Sequence, residues 1–338
     1  MTVDQAIALS LVPGLSRVGL TARLTSDDPE LTELAARYLS QAVGVREQAA
    51  AAGIRILPWN APNFPAGLLA TSDCPPVLFC RGDFACFDAV AVAIVGSRAA
   101  SPVSREAATR IAAGLAARGI TVVSGLARGV DSAAHRGALT TGRTVAVLGS
   151  GVDRVYPPEH VDLASAIAKT GLVVSEYPPG TAPLPFHFPM RNRLISGLSR
   201  AVVVIEASEK SGSLITAGCA LEQGRDVMAV PGSVAGGRNR GGHALIRDGA
   251  KIVESADDIV EELGLPAATR MPSDATNDYF TKTCDEPWLR RLPRGEPLDL
   301  DALADLTGLA TPQLLRRLLE LELEGRIRRL DAGRFIAQ

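Results

Sequence analysis

The middle of the chain alternates short apolar runs with longer helical stretches. Each run is largely apolar along its length rather than alternating, as in strands that are buried on both faces. Strands that alternate with helices in this way predict an α/β fold, a Rossmann-like, doubly wound and mostly parallel sheet with right-handed crossovers. The predicted strands are Ala91–Val95, Thr121–Ser124, Thr144–Leu148, Leu172–Ser175, Ala201–Glu206 and Asp226–Val230.

Helical patterns fill the first part of the chain, and we expect a small domain there, over residues 1–52. Within it, Leu11–Gly19 has the outline of a helix–hairpin–helix turn (or of a SAM-like domain), whose backbone amides would suit a phosphate. A plain Pro13-Gly14 turn between two packing helices explains the same residues equally well. The Rossmann-like domain is predicted to follow over 53–265.

The end of the chain predicts a winged helix. Residues 266–285 are polar and read as a linker, and 286–338 combine a helix–turn–helix pattern with a hairpin around Asp331-Ala332-Gly333. Residues 286–338 contain nine Arg and nine Asp or Glu, so this domain has no net charge. DNA binding and protein interaction therefore both stay open for this domain. The apolar stripe of the second helix is Leu314, Leu315, Leu318, Leu319 and Leu323, and the side chains offered to a groove are Gln313, Arg316 and Arg317.

Charge and cysteine content narrow the classes of partner and compartment. With 35 basic and 37 acidic residues the formal net charge is −2, so nucleic acid would have to bind at a local patch. No run reaches the roughly 18 apolar residues needed to cross a membrane, and no basic segment of the secretory type opens the chain. The five cysteines lack metal-site spacing. We therefore expect reduced thiols in a cytoplasmic protein, with no metal and no membrane contact.

The residues that follow the predicted strands indicate an anion-binding edge. Ligands of open parallel sheets bind beyond the carboxyl ends of the strands, near the point where the strand order reverses. There this chain gathers glycine for close backbone approach, serine hydroxyls and arginine charge. The segments are Gly96-Ser97-Arg98, Ser124–Asp131 with Gly125, Arg128 and Gly129, Gly149–Gly151, Phe188–Arg193 with Arg191, Ser211-Gly212-Ser213 and Pro231-Gly232.

Several phosphate chemistries are excluded by what these loops lack. There is no P-loop motif, and the first strand–helix turn has one glycine where a dinucleotide fingerprint has three. No paired acidic residues suggest a metal, and no nucleophile has an adjacent base. We therefore expect the edge to hold phosphate without a cofactor and without catalysis. Phe186, Phe188 and Tyr177 are the candidate stacking platforms for bases.

At these residues the chain closely resembles the DNA-processing protein A family (DprA, also called Smf). The similarity is dense over roughly 90–255, and the order and spacing of the motifs make it specific. The matching segments are Val95–Arg98, Ser124–Asp131 (SGLARGVD), Tyr156-Pro157-Pro158, Ser175–Gly180 (SEYPPG), Phe188–Ser199 (FPMRNRLISGLS), Ser211–Ala217 (SGSLITA), Gly224–Gly232 (GRDVMAVPG), and Leu245-Ile246 with Gly249-Ala250.

The resemblance implies a non-catalytic cytoplasmic protein that binds single-stranded DNA (ssDNA) without sequence preference. Members of the family form homodimers, protect incoming strands and help to load the RecA recombinase during natural transformation, the uptake of DNA by competent cells. By motif position, Gly96, Ser97 and Arg98 would hold backbone phosphate. The same pocket would be lined by Ser124, Gly125, Arg128, Gly129, Phe188, Arg191, Asn192, Arg193, Ser211, Gly212, Ser213 and Thr216.

Two rival functions remain open, and four positions depart from the family pattern. One rival is a nucleotide-binding Rossmann enzyme of the nucleoside-monophosphate phosphoribohydrolase type, although Pro231-Gly232-Ser233 lacks the Gly-Thr-x-x-Glu continuation of such sites. The other is a transcriptional regulator that reads duplex DNA with its winged helix. The departures are Val103 and Ser104, where an aromatic residue and glycine are usual, and His160 and His243, where asparagine is common.

Overall fold

The computed structural model describes residues 1–26, 28–266, 298–307, 314, 318, 321–322, 327–329 and 334–337. By its internal contacts the chain divides into two units, Met1–Ala267 and Ala268–Gln338. The predicted linker lies, from residue 267 to 285, outside the described residues. The boundary predicted at residue 52 stays a prediction, because the first unit contains both the helical segment and the sheet.

The first unit is built on a nine-stranded sheet in the order β1-β2-β6-β5-β4-β3-β7-β8-β9. From β6 to β9 neighbouring strands pair in parallel, whereas β2 pairs antiparallel with both β1 and β6. The mostly parallel, doubly wound sheet is therefore confirmed. The strands are β1 (Arg55–Pro58), β2 (Val77–Gly82), β3 (Ala91–Gly96), β4 (Thr121–Ser124), β5 (Thr144–Val147), β6 (Leu172–Ser175), β7 (Ala201–Ile205), β8 (Asp226–Ala229) and β9 (Lys251–Ile252).

Helices cover both faces of the sheet, and several begin at side-chain caps. Thr2 and Ser255 form capping boxes, and Ser101 caps a helix whose first residue is Pro102. None of the described helices is long and apolar enough to cross a bilayer. The helices are α1 (Val3–Leu11), α2 (Leu20–Thr25), α3 (Pro29–Ala51), α4 (Ala66–Leu69), α5 (Pro102–Ala117), α6 (Val130–Thr141), α7 (Val161–Thr170), α8 (His187–Gly197), α9 (Ser213–Glu222), α10 (Arg240–Arg247) and α11 (Ala256–Glu262).

The central strand β3 shows why the strands are apolar at every position. Ala93 and Val95 pack into the core that also holds residues of α8 and α9, whereas Val92 and Ile94 pack into the core beneath α5, α6 and α11. Successive side chains of a strand point to opposite faces, so both sets must be apolar when both faces are covered. Burying each large aliphatic side chain contributes roughly 1.5–3 kcal/mol.

The N-terminal helices pack on the outer part of the same sheet. Ile7 and Leu9 of α1 share a core with Phe79 of β2 and Leu148, which follows β5. The antiparallel strands β1 and β2 are absent from the prediction. The four-residue Arg-Ile-Leu-Pro segment of β1 has no strand signature by itself, whereas β2 opens with a buried apolar run, Val77–Cys80, that the prediction missed.

The second unit contains a helix, α12 (Leu300–Thr307), and a hairpin. The helix and the antiparallel strands β10 (Ile327–Arg329) and β11 (Phe335–Ala337) surround a small apolar core. Leu314 and Leu318 of the predicted stripe are buried in that core. The predicted hairpin is confirmed. Leu315, Leu319, Leu323, Gln313, Arg316 and Arg317 lie outside the described residues.

The cysteines of the described part of the chain are packing residues. Cys74, Cys80 and Cys86 are buried, and burial raises the pKa of Cys74 to about 12 and that of Cys86 to about 11. Thiols with such high pKa values are largely protonated and unreactive at neutral pH. Among the described residues, no cluster of His, Cys, Asp and Glu is arranged to hold a metal ion.

Candidate functional site

The strand order reverses at β3. The chain builds β4, β5 and β6 on one side of β3 and then returns to place β7 on the other side. The loops that follow β3 and β7 therefore diverge, and a crevice opens between them at the carboxyl ends of the strands. This is the position in the sheet at which the sequence predicts a ligand.

A cavity of about 410 Å³ occupies the crevice, and we call it the switch-point pocket. It is bounded by the loop after β3, the start of α9 and one face of α8. Ten of the fifteen predicted site residues line it: Gly96, Ser97, Arg98, Phe188, Arg191, Asn192, Ser211, Gly212, Ser213 and Thr216. Segments more than 100 residues apart in sequence thus meet in one pocket.

The loop after β3 approaches the neighbouring strand closely. A Cβ atom built at Gly96 would lie 1.9 Å from the carbonyl oxygen of Ile205, so only glycine fits there. The next residue, Ser97, donates its backbone N–H to the carbonyl oxygen of Glu206 at 2.8 Å. These contacts hold the first wall of the pocket against β7.

Arg98 provides the exposed positive charge of the pocket. Its guanidinium carbon lies 5.5 Å from the centre of the Phe188 ring, and the side chain is open to solvent. Within the described part of the chain, Arg98 has no salt-bridge partner. Its N–H donors are therefore available to an incoming anion, and its position against an aromatic ring restrains the guanidinium.

The start of α9 supplies hydroxyl and backbone donors on the opposite wall. The hydroxyl groups of Ser211 and Ser213 lie 2.7 Å apart, and a Cβ at Gly212 would meet open space. Asn192 of α8 donates its side-chain amide to the carbonyl oxygen of Gly212 at 3.2 Å, which ties the two helices together. The N-terminus of a ten-residue helix favours negative charge.

Arg191 forms the floor of the pocket rather than an exposed contact. Its Nη1 donates to the carbonyl oxygen of Gly125 at 2.8 Å and also to that of Val147. Burial lowers the pKa of its guanidinium to about 10, although the carboxylate of Asp131 nearby opposes this effect. The group remains cationic at neutral pH, so it adds positive potential from below.

Asp131 is a site residue that the prediction omitted. It lies in the pocket wall, and its Oδ2 accepts the backbone N–H groups of Gly125 at 3.1 Å and Ala127 at 3.3 Å. Burial raises the pKa of this carboxyl, while Arg191 and the two amides act to lower it. The sequence signal that could have identified Asp131 is its position in the first turn of α6, directly after the turn at Gly129.

Ser124 and Gly129 lie behind the pocket. The Ser124 hydroxyl is fully buried and donates to the carbonyl oxygen of Ile94 at 2.6 Å. Gly129 has a φ of 76°, and a Cβ there would lie 2.2 Å from the carbonyl oxygen of Ser97. Both residues position the loops after β3 and β4, and neither lines the pocket.

The structure does not bring Arg128 and Arg193 into the pocket. Arg128 is exposed and forms a salt bridge with Glu159. Arg193 points to the other side of α8, where it is buried and forms salt bridges with Glu176 at 2.5 Å and Asp73 at 3.3 Å. Of the four arginines expected to supply charge, Arg98 alone combines pocket lining with an exposed side chain.

Three of the departures from the family pattern have local structural roles. Ser104, in the first turn of α5, donates its hydroxyl at 2.7 Å to Oε2 of Glu206, the residue that follows β7. His160 is buried with its Nδ1 2.8 Å from the carbonyl oxygen of Leu126, which has a φ of 59°. Nε2 of His243 lies 3.1 Å from the carbonyl oxygen of Gly232. Val103 is exposed.

Comparisons with known proteins agree with this architecture. The family model described as DNA recombination-mediator protein A matches residues 55–264, and the model described as DprA winged helix domain matches residues 289–333. The first match alone covers more than half of the chain. This chain belongs to the DprA/Smf family. Its C-terminal domain is accordingly a winged helix of the DprA type, as the sequence analysis predicts.

Individual DprA proteins show the extent of the similarity. Protein Smf of Escherichia coli is 39% identical over 285 residues, which cover 82% of this chain and 76% of that protein. The X-ray structure of DprA from Streptococcus pneumoniae superposes with a TM-score of 0.68 and 34% identity, covering 78% of this chain and 98% of that one. DprA from Helicobacter pylori, solved to describe its ssDNA binding mode, has a TM-score of 0.57 and 29% identity, covering 62% and 95%.

Proposed function

We propose that this protein binds the sugar–phosphate backbone of ssDNA in the switch-point pocket. The observation that carries the proposal is the exposed guanidinium of Arg98, which faces a pocket lined by the donors of Ser97 and the first residues of α9. Charge-assisted hydrogen bonds from such groups are the usual means of holding phosphate. The ssDNA binding described for the H. pylori relative supports the same ligand class.

Binding through these groups is expected to be independent of base sequence. Phosphate contacts carry no sequence information, and the pocket offers mainly backbone, hydroxyl and guanidinium donors. Phe188 lies at its wall beside Arg98, and its partly exposed ring is the candidate to stack on a base that is not paired. A duplex keeps its bases stacked inside, so we expect it to bind more weakly than a single strand.

The geometry favours binding over catalysis. Among the described residues, Asp131 is the one carboxylate that lines the pocket, and its Oδ2 is already held by two backbone amides. The nearby Glu206 is held by Ser101 and Ser104 through its Oε2. Because both carboxylates already support neighbouring loops through these contacts, a structural role for them favours binding over glycosidic cleavage.

Family membership supports a proposal for the cellular role. We infer that the protein acts in the cytoplasm as a homodimer, protects incoming single strands and helps to load RecA onto them during natural transformation. Support comes from the DprA/Smf membership and from the matched winged helix. Sedimentation of the purified chain tests the dimer. A RecA filament assay on strands coated by a single-strand binding protein tests the loading.

The experiment that tests the binding proposal compares strands across a salt series. Fluorescence anisotropy of labelled oligo-dT and of a duplex of equal length is measured from low to moderate salt. We expect preference for the single strand and a steep fall of affinity with salt, because each neutralised phosphate contributes about −0.7 to the logarithmic slope. Equal affinity for both forms, or no binding at low salt, contradicts the proposal. Release of free base from AMP would establish the enzyme instead.

A further inference from the structure

The turn between α1 and α2, which the sequence analysis singled out at Leu11–Gly19, borders a second cavity. This cavity has a volume of about 720 Å³ and lies between that turn and α8, and we call it the turn pocket. Val12, Leu15 and Val18 of the turn form one side, and Phe186 and Met190 form the other. The proposed binding of phosphate does not use it.

The two pockets lie on opposite sides of the same helix turn. Phe188 and Asn192 line the switch-point pocket, His187 and Met190 line the turn pocket, and Pro189 lines both. An α-helix with its side chains is about 10–12 Å across. A polynucleotide that passes over the start of α8 therefore has both pockets within reach of neighbouring nucleotides.

The rim of the turn pocket exposes apolar side chains to water. Val18 is 83% exposed, Phe186 is 62% exposed and Met190 is 42% exposed. Deeper in, the Tyr177 ring stacks on His187 with ring centres 4.0 Å apart, and Phe186 packs edge-on against the same imidazole at 4.6 Å. When a flat, weakly polar group covers this apolar rim and aromatic wall, apolar surface is removed from water, which favours binding.

The floor of the turn pocket is polar, and two arginines there share one carboxylate. Arg17 donates to Oε1 of Glu176 at 3.0 Å, and Arg193 donates to Oε2 of the same carboxylate at 2.5 Å. Arg17 keeps part of its side chain exposed, so it has N–H groups left to donate. A nucleobase combines a planar apolar face with carbonyl acceptors at its edge, and this cavity presents partners for both.

We infer that the turn pocket accepts an unstacked nucleobase of the strand whose phosphates occupy the switch-point pocket. The inference rests on the proposed function and assigns to the N-terminal helical segment a direct part in holding the strand. Pro189 lines both the turn pocket and the switch-point pocket, and this continuity favours a base over an apolar peptide as the occupant. Because stacking tolerates any base, this contact adds affinity without sequence preference.

Two measurements on the full chain test the inference. In the first, oligo-dT is compared with otherwise identical strands that carry abasic sites, for the wild type and for a Leu15→Ala, Met190→Ala double variant. We expect abasic strands to bind the wild type several-fold more weakly, and this difference to shrink in the double variant. Val90→Ala is the matched control, because Val90 is exposed to nearly the same degree as Met190 and directly precedes β3, at the amino end of that strand and away from both pockets.

The second measurement needs no variant. Oligonucleotides that contain 4-thiothymidine are photo-crosslinked to the wild-type protein, and the attached peptides are mapped by mass spectrometry. Crosslinks within residues 9–20 or at Phe186 and Met190 support the inference. Equal affinity for abasic and normal strands, with crosslinks confined to other segments, overturns it while leaving phosphate binding intact.

Two further outcomes would also decide against the inference. If neither normal nor abasic strands bind, the proposed function itself fails, and the inference fails with it. If an apolar peptide occupies the pocket and its binding is lost in the double variant, while abasic strands bind as well as normal ones, the pocket belongs to a protein partner and the nucleobase assignment is wrong.

Discussion

The guanidinium of Arg191 lies directly beneath Gly125, and its Nη1 donates to the Gly125 carbonyl oxygen at 2.8 Å. A Cβ atom at Gly125 would lie 2.6 Å from that nitrogen, so a side chain there would displace the guanidinium from this position. Arg191 is only 3% exposed, whereas Arg98 in the same pocket is open to solvent. The two arginines therefore have different tasks: Arg98 is available to the ligand, and Arg191 holds the loop after β4.

Replacing Arg98 is expected to weaken binding without affecting the fold. Arg98→Ala removes a charge-assisted contact that contributes about 1.5–3 kcal/mol, so affinity for oligo-dT should fall roughly 10-fold or more. The salt slope should become shallower by about 0.7. Anisotropy titrations measure both quantities. Arg81→Ala is the control, because Arg81 is exposed on β2 opposite Val173, at the other end of the sheet.

Replacing Arg191 is expected to affect stability as well as binding. Arg191→Ala leaves the buried carbonyl oxygens of Gly125 and Val147 without this donor, which costs about 1–3 kcal/mol for each unsatisfied group. Chemical denaturation measures the free energy of unfolding. A variant that keeps wild-type stability and loses only DNA affinity would show that Arg191 contacts the strand directly.

The Gly129 position is expected to tolerate no side chain. Gly129→Ala places a Cβ 2.2 Å from the Ser97 carbonyl oxygen at a φ of 76°, so the loop that carries Arg98 must move. We expect a lower melting temperature together with weaker ssDNA binding. Gly44→Ala in α3 meets nothing within 4 Å and should instead raise stability by about 0.5–1 kcal/mol. Unchanged melting of the Gly129 variant would contradict the structure of this turn.

The salt bridge between Glu176 and Arg193 is expected to be structural. Both side chains are less than 10% exposed, and removing one charge of a buried pair costs about 3–5 kcal/mol. Glu176→Gln should therefore destabilise the protein strongly. Glu33→Gln, which breaks the exposed pair with Arg37, should cost no more than about 0.5 kcal/mol. Similar unfolding free energies for the two variants would refute this assignment.

His135 is expected to make the protein sensitive to acid. Burial lowers its pKa to about 3, with smaller contributions in the same direction from His160 and Arg191, while the unfolded chain titrates near 6.5. Between these values the unfolded state binds more protons. Stability should therefore fall as the pH drops below about 6.5, by up to about 1.4 kcal/mol per pH unit.

The His135 effect is isolated by comparing the wild type with His135→Gln in urea at several pH values. The variant should start less stable at pH 7.5, because the contact of Nδ1 with the Thr144 hydroxyl at 2.7 Å is altered. Its stability should then fall less steeply on acidification. Parallel pH profiles for the two proteins would show that His135 does not titrate between these limits.

Much of the fold follows from local sequence pattern. Strands such as β3 and β7, covered on both faces, must be apolar at every position, and that requirement makes them visible in the sequence. The pocket was also foreseeable, because glycine, serine and arginine directly after these strands can only meet at their carboxyl ends. The strand β1 was not, since its four residues have little pattern of their own and its place depends on pairing with β2 and on packing against α1 and α3.

The role of each arginine was decided only by tertiary contacts. Arg191 and Arg193 stand two residues apart in one motif, yet one supports the loop after β4 and the other pairs with Glu176 across α8. Arg193 also contacts Asp73, which is 120 residues away in sequence. Whether a charged side chain meets solvent or a buried partner depends on such distant residues, because desolvation and pairing are properties of the folded surroundings. Local pattern can place an arginine at the edge of a sheet, but the surrounding chain determines which way it points.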